Sequence, residues 1–98
     1  MAKEIIFSPE ANDNLKNIIY FILDEWSLKI AEDFLEILDN KLNSILLFPK
    51  AYPQIEAKPE IRKCVLTKQV ILYYRISEKS IDIITLFDSR QNSDKLKL

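Results

Sequence analysis

The spacing of apolar residues changes once along this chain of 98 residues, and this change limits its possible folds most strongly. Up to residue 48, apolar side chains recur at the three- and four-residue intervals of amphipathic helices. From residue 61 the period changes to two, which is typical of strands. Between them lies PKAYPQIEAKPE, residues 49–60, whose three prolines predict a loop. The chain therefore has a helical half followed by a β half.

Two helix starts are visible in the first half. Ser8–Glu10 (SPE) places a capping serine, a proline at the first helical position and a carboxylate near the positive end of the helix dipole. This helix is predicted to run to about Glu25. Ser27 caps a second helix, which Pro49 ends. The predicted apolar stripes are Ala11, Leu15, Ile18, Ile19, Ile22 and Trp26, then Ala31, Phe34, Leu35, Leu38, Leu42, Ile45 and Leu46.

The strands complete the predicted fold. Lys3–Phe7 is a short β-prone stretch, and Ile61–Leu66, Gln69–Ile76 and Ser80–Phe87 are β-rich segments joined by tight turns. The order is β-α-α-β-β-β. We expect an α+β fold in which an antiparallel two-helix hairpin packs on one face of a mainly antiparallel four-stranded sheet. Residues 1–98 are predicted to form one domain.

The turns also predict a register. Two-residue turns at Thr67-Lys68 and Glu78-Lys79 place Arg62 opposite Tyr73 and Arg75 opposite Asp82. The face toward the helices would then hold Val70, Leu72, Tyr74, Ile76, Ile81, Ile83 and Phe87. The other face would hold Arg62, Cys64, Leu66, Gln69, Ile71, Tyr73, Arg75, Asp82, Ile84, Leu86, Asp88 and, if the chain stays extended, Arg90.

That second face has an apolar centre with arginines at its edges, which is typical of a binding surface. The alternative is that the first strand, the proline-rich loop and the C-terminal tail fold over it. On the first interpretation the predicted partner-binding residues are Arg62, Ile71, Tyr73, Ile84, Leu86 and Arg90.

The arginines have different predicted roles. Arg75 pairs with Asp82 across two strands, which is a small structural contribution. Arg62 is either an exposed strand residue or a phosphate contact. Arg90 lies where a strand opens into a loop, with Asp88 as its one local partner. It is either a contact for a partner or an anchor for the tail.

Composition excludes several kinds of chemistry. The chain has no histidine and no glycine, so imidazole catalysis and glycine-rich phosphate loops are absent. Its single cysteine, Cys64, is predicted to be inert strand filling in a reducing cytoplasm. We expect no metal and no cofactor. No apolar run is long enough to span a membrane, and since MAKEIIFSPE lacks the apolar segment and cleavage site of a signal peptide, we expect no secretion signal.

Charge is distributed unevenly between the two halves. Residues 1–48 hold four Lys against nine Asp and Glu, whereas residues 49–98 hold ten Lys and Arg against six Asp and Glu. The positive half could face an anionic partner, or it could be ordinary surface charge.

Several stretches together resemble the RelE/ParE superfamily of type II toxins. They are IIFSPEANDNLKNIIYFI, the Trp26-Ser27 break between the helices, LLFPKAYP, IRKCVL, VILYYRI and IDIITLFDSRQN. The FSPEA start and the LFDSRQN end are most similar to the ParE-type, or plasmid stabilisation, branch. The resemblance implies a cytoplasmic toxin neutralised by a co-encoded antitoxin, as a homo-oligomer or a hetero-oligomer with it. ParE-type members are known to poison DNA gyrase.

RelE-type members instead cut messenger RNA on the ribosome with basic residues of the exposed sheet face. For that chemistry the resemblance implies Arg62, Lys63, Tyr73 and Arg90 as catalytic candidates. Cys64 stands at the second position of the family's basic pair, and Ile71 stands where the family has a strand-three arginine. We therefore expect a toxin that acts by protein contact on gyrase. The alternatives are a ribosome-dependent endoribonuclease with a reduced basic site and an inactive toxin that still binds its antitoxin.

Overall fold

The computed structural model describes residues 3–90 and contains two helices and four strands within them. The elements in chain order are β1 (Glu4–Phe7), α1 (Pro9–Glu25), α2 (Leu28–Leu47), β2 (Ile61–Val65), β3 (Val70–Ile76) and β4 (Ser80–Asp88). The predicted order and the α+β class are confirmed. Neither helix of this part of the chain is long and apolar enough to cross a membrane.

Serine side chains start both helices, as the sequence predicts. The Ser8 Oγ accepts a hydrogen bond from the Ala11 N–H at 2.9 Å, and the Ser27 Oγ accepts one from the Ile30 N–H at 3.1 Å. Each bond satisfies a backbone donor that the first turn of a helix leaves unpaired. The Ser27 cap starts α2 directly after the two-residue break, residues 26–27, that separates it from α1.

The four strands form one sheet in the order β1-β4-β3-β2. β1 pairs with β4 in parallel, and the other two pairs are antiparallel. The outer edge of β2 is lined by the proline-rich loop, because the Lys63 N–H donates to Pro53 O at 3.0 Å and the Ile55 N–H donates to Ile61 O at 2.9 Å. The loop is therefore attached to the sheet edge, with Tyr52 packed against the helix-covered core and Lys58 and Glu60 beside the margin of the other face.

A single apolar core lies between the helices and one face of the sheet. Its fully buried members include Ile18 of α1, Ile45 of α2 and Leu72 of β3. The predicted burial is wrong for three residues of the helical stripes, because Trp26, Leu35 and Leu46 are exposed. Trp26 is the C-cap residue that ends α1.

The predicted register between β2 and β3 is wrong by one residue. Val65 lies opposite Ile71, and the Leu66 N–H donates to Val70 O at 2.9 Å, so the connecting turn has three residues. The Thr67 Oγ1 stabilises this turn by accepting bonds from the N–H groups of Gln69 and Val70. Since side chains alternate along a strand, a shift of one residue moves every β2 side chain to the opposite face.

The register between β3 and β4 is as predicted only at one end. Arg75 lies opposite Asp82, but a β-bulge follows, so Tyr73 lies opposite Thr85 and not opposite Ile84. Asn14 of α1 holds the bulged strand, because its Oδ1 accepts bonds from the Thr85 Oγ1 at 2.7 Å and from the Leu86 N–H at 3.1 Å. The extra residue reverses the faces of the residues after it.

These two corrections redistribute the predicted faces. Several residues that the sequence analysis placed on the uncovered face belong to the helix-covered side, whereas Phe87 lies opposite Ile71 on the uncovered face. The C-terminal tail, one predicted cover for this face, lies outside the described residues. The residues moved to the helix-covered side are Arg62, Cys64, Leu66, Gln69, Leu86, Asp88 and Arg90.

Candidate functional site

The sheet face opposite the helices is the main candidate for function. We call it the open sheet face. It consists of Ile6, Ile61, Lys63, Val65, Ile71, Tyr73, Arg75, Asp82, Ile84 and Phe87. Both helices pack on the other side, so no helix of residues 3–90 covers this face.

Apolar side chains dominate the open sheet face. Ile6 and Val65 are about half exposed, whereas Ile61 and Tyr73 are buried among their neighbours although they lie outside the helix-covered core. A groove of about 440 Å³ runs between β1 and the loop before β2, lined in part by Ile6, Ile61 and Ile84. Its walls combine these isoleucines with charged residues such as Glu60 and Arg75, a mixture that is suited to binding another protein chain.

Polar groups at the margin of the open sheet face are few and partly paired. The Arg75 Nη2 lies 3.6 Å from the Asp82 Oδ2, which confirms the predicted cross-strand pair. Hydrogen bonds from the Ser77 and Ser80 hydroxyl groups, with help from Arg75, hold the pKa of Asp82 below its usual value. Lys63 is exposed and forms no ion pair with residues 3–90. The centre of the face is therefore apolar, and its margin carries charges of both signs, since Glu4 is on the same side of β1 as Ile6 and Lys58 and Glu60 line the groove.

Lys63 and Tyr73 are the two predicted catalytic candidates that the structure brings together. They are directly opposite each other on β2 and β3. Burial raises the pKa of the Tyr73 phenol, so Tyr73 is protonated at neutral pH. Tyr73 could donate a proton and Lys63 could contact a polar group, but the surroundings of Tyr73 do not make it a base.

Arg62 lies on the other side of β2 and anchors the proline-rich loop. Its Nη1 donates to Lys50 O at 3.2 Å and to Tyr52 O at 2.7 Å. Next to it the Tyr74 hydroxyl donates to Pro49 O, and burial raises the pKa of Tyr74 to about 12. The guanidinium of Arg62 therefore binds backbone carbonyl groups of the proline-rich loop, and it does not point toward the open sheet face.

Arg90 is held at the end of β4 by a buried carboxylate. Its Nε and Nη2 donate to Asp88 at 2.8 Å and 2.6 Å, and its backbone N–H donates to the same carboxylate at 2.9 Å. The Asp88 side chain is only 3% exposed. The guanidinium also lies 4.4 Å from the ring centre of Phe21. Arg90 is therefore neutralised and attached to α1 on the helix-covered side.

The structure thus brings together four of the predicted site residues and separates the others from them. Ile71, Tyr73 and Ile84 share the open sheet face with Lys63, whereas Leu86 lies in the core. Their contact with a partner remains a prediction. Sequence reasoning missed Ile6, Val65 and Phe87. A signal for Val65 was present in Thr67, whose hydroxyl group can cap a three-residue turn and so change the register of β2.

Comparison with known proteins identifies the family. The sequence profile described as "ParE toxin of type II toxin-antitoxin system, parDE" matches residues 5–93. The chain belongs to the ParE toxin family. The resemblance seen in the sequence is therefore confirmed for nearly the whole chain, and the toxin is a component of a type II toxin–antitoxin system. No curated protein sequence matches it.

Solved structures share the fold of this toxin at low sequence identity. The chromosomal ParDE system from P. aeruginosa gives a TM-score of 0.74 at 12% identity, covering 89% of this chain and 96% of that one. A YoeB/ParE toxin from Agrobacterium tumefaciens gives 0.65 at 13% identity, covering 87% and 97%. The E. coli DinJ-YafQ toxin-antitoxin complex gives 0.58 at 17% identity, covering 92% and 96%.

Proposed function

We propose that this ParE-family toxin acts in the cytoplasm by protein contact, that its target is DNA gyrase, and that a co-encoded antitoxin neutralises it by covering the open sheet face. Membership of the ParE family supports the target. The solved complex of the structurally similar E. coli DinJ-YafQ pair supports the antitoxin as a partner.

One observation favours a toxin that acts by protein contact over one that cleaves RNA. Both arginines that were expected to bind a phosphate form structural hydrogen bonds within the fold. Arg62 binds backbone carbonyls of the proline-rich loop, and Arg90 binds the buried carboxylate of Asp88. RNA cleavage through attack of the 2′-hydroxyl needs charge stabilisation at the phosphorane, and loss of one preorganised contact can cost about a hundredfold or more in rate. Both guanidinium groups also lie on the helix-covered side, so they do not form one phosphate site with Lys63 and Tyr73 on the open sheet face.

A ribosome-dependent endoribonuclease remains the second candidate because Lys63 and Tyr73 are opposite each other on the open sheet face. The reaction also needs a base for the 2′-hydroxyl proton. Burial raises the pKa of the Tyr73 phenol, so Tyr73 is protonated at neutral pH and is suited to the acid role and not to the base role. This pair supports ribonuclease activity less well than the apolar surface around it supports protein contact.

A supercoiling assay with purified gyrase tests the proposal. We expect the toxin to inhibit ATP-dependent supercoiling of relaxed plasmid in a dose-dependent manner, and an equimolar amount of the co-encoded antitoxin to restore it. A heat-unfolded sample of the same preparation provides the control. Full supercoiling at every toxin concentration, with a sample that is folded and arrests growth when expressed, would show that the target is another molecule.

A further inference from the structure

A second apolar surface lies on the helix-covered side, at the end where α1 turns into α2. A groove of about 310 Å³ opens there between the helix ends and the turn that joins β2 to β3. We call it the hairpin groove. Its main lining residues are Ile22, Trp26, Ile30, Phe34, Val70 and Arg90. It is separate from the open sheet face, because its walls come from the helices and from the opposite side of the sheet.

Large apolar side chains at the hairpin groove are exposed, although the fold does not require apolar side chains at these positions. Trp26 is 66% exposed and Ile30 is 45% exposed. The cap of α2 uses Ser27, and the last hydrogen bond of α1 uses the backbone N–H of Trp26, so neither function needs an indole ring at this position. Exposed apolar residues close to a groove usually mark an interaction site, and the same hairpin end also exposes Tyr20, Phe21, Leu23 and Leu28.

The charge around the hairpin groove specifies the kind of partner. The two helix segments that form it, residues 20–37, carry five carboxylates and one lysine, and that lysine, Lys29, is 2.9 Å from Asp33. Two other cations are at the groove: Arg90, which is neutralised by Asp88, and Lys68, which lies between the lining residues Thr67 and Gln69. Among the described residues, Asp33 is the one carboxylate that lines the groove, and the other four lie beside it on the two helices, so the helical side of this apolar groove is acidic. Its charge is complementary to Lys and Arg side chains of a partner.

We infer that the hairpin groove binds a basic amphipathic helix of a partner protein. Apolar side chains at helical spacing would contact Trp26 and Ile30, while flanking Lys and Arg side chains would face the carboxylates of α1 and α2. This inference does not depend on gyrase being the target. It assigns a basic partner to the acidic helical half of the toxin, on a surface separate from the open sheet face.

Fluorescence of Trp26 tests this directly, because Trp26 is the one tryptophan of the chain. The probe is a synthetic peptide of about 18 residues, which is five helical turns. It carries leucine at helical spacing and lysine elsewhere, with no tryptophan. The control peptide has glutamate in place of every lysine. We expect the lysine peptide to shift Trp26 emission to shorter wavelength and to bind at least about tenfold more tightly than the glutamate peptide.

Two toxin variants separate groove binding from general attraction to an acidic protein. Ile30 and Leu35 are both on α2 and are similarly exposed, 45% and 43%, but only Ile30 lines the hairpin groove. We expect Ile30→Ser to weaken binding of the labelled lysine peptide, measured by fluorescence anisotropy, by about tenfold or more, because an apolar contact is lost. Leu35→Ser should bind like the unmodified toxin. Circular dichroism checks that both variants are folded.

Four outcomes would overturn the inference. Equal binding of the two peptides would exclude charge complementarity. Equal behaviour of the Ile30 and Leu35 variants would place the peptide elsewhere. Emission of Trp26 that is already at short wavelength in the free chain, and does not respond to the peptide, would show that another part of this chain fills the groove. Emission that changes on dilution of the toxin alone would show that a second copy fills it.

Discussion

The Arg90 guanidinium is held by the buried carboxylate of Asp88 through two hydrogen bonds, from Nε to Oδ1 at 2.8 Å and from Nη2 to Oδ2 at 2.6 Å. Arg90 and Asp88 therefore form a structural ion pair. It explains why an apolar strand ends with an arginine: the cation neutralises a carboxylate that the fold has buried and joins the end of β4 to Phe21 of α1.

Arg90→Ala is therefore expected to destabilise the toxin, by about 2 kcal/mol, because it leaves a buried carboxylate without its charged partner. The free energy of unfolding in urea at neutral pH measures the loss. Arg75→Ala is the matched control, since its ion pair with Asp82 is longer, at 3.6 Å, and its side chain is 54% exposed. That variant should differ from the unmodified toxin by no more than about 0.5 kcal/mol. Equal stability of the two variants would mean that Asp88 does not need Arg90.

Asp82 should make the stability of the toxin sensitive to acid. Hydrogen bonds from Ser77 and Ser80 lower its pKa in the folded state below the usual value of 3.8. A carboxylate with a lowered folded-state pKa stabilises the fold above about pH 4, and this contribution is lost as the pH falls through the folded-state value. We expect Asp82→Asn to be less stable than the unmodified toxin at neutral pH, with the difference shrinking below pH 4. A difference that does not vary with pH would contradict this assignment.

The corrected register of β2 predicts which side chain a thiol reagent can reach. Cys64 is 1% exposed, and burial raises its pKa, so the native thiol should react much more slowly than the same thiol in denaturant. Val65 is on the open sheet face. A Cys64→Ala chain that also carries Val65→Cys should therefore react rapidly while folded. The opposite order of rates would mean that Cys64 is on the open face, as the two-residue turn implied.

Covering the open sheet face should control association of the toxin. We expect the isolated toxin to self-associate and the antitoxin to suppress this, as measured by light scattering. Ile84→Asp should raise the Kd of the toxin–antitoxin complex by roughly thirtyfold, which is about 2 kcal/mol, because it places a charge at the apolar centre of the interface. Leu35→Asp, on the exposed side of α2, is the control. Unchanged affinity in a folded Ile84→Asp variant would place the antitoxin on another surface.

Local sequence signals were sufficient for the order of elements. Ser8, Ser27 and the prolines of residues 49–60 gave the limits of both helices, since caps and breakers act within a few residues. The profile match to the ParE family agrees with the resemblance seen in the same segments.

The composition of the open sheet face could not be obtained in the same way. It depends on the Thr67 hydroxyl group, which makes the turn one residue longer, and on Asn14, which holds a bulge on a strand far from it in sequence. Each of these bonds changes the face of several residues at once. The second is a tertiary contact, so no pattern within β4 itself indicates it.

We propose that the toxin acts by contacting a protein and does not cleave RNA. Primer extension on messenger RNA from translating ribosomes tests this most directly. The reaction is run with the unmodified toxin and with a Lys63→Ala, Tyr73→Phe variant, which changes the two candidate catalytic residues that lie together. We expect no toxin-dependent cuts with either protein, while the same preparation of unmodified toxin inhibits gyrase supercoiling. Cuts at a fixed codon position with the unmodified toxin that disappear with the variant would contradict the claim and identify an endoribonuclease.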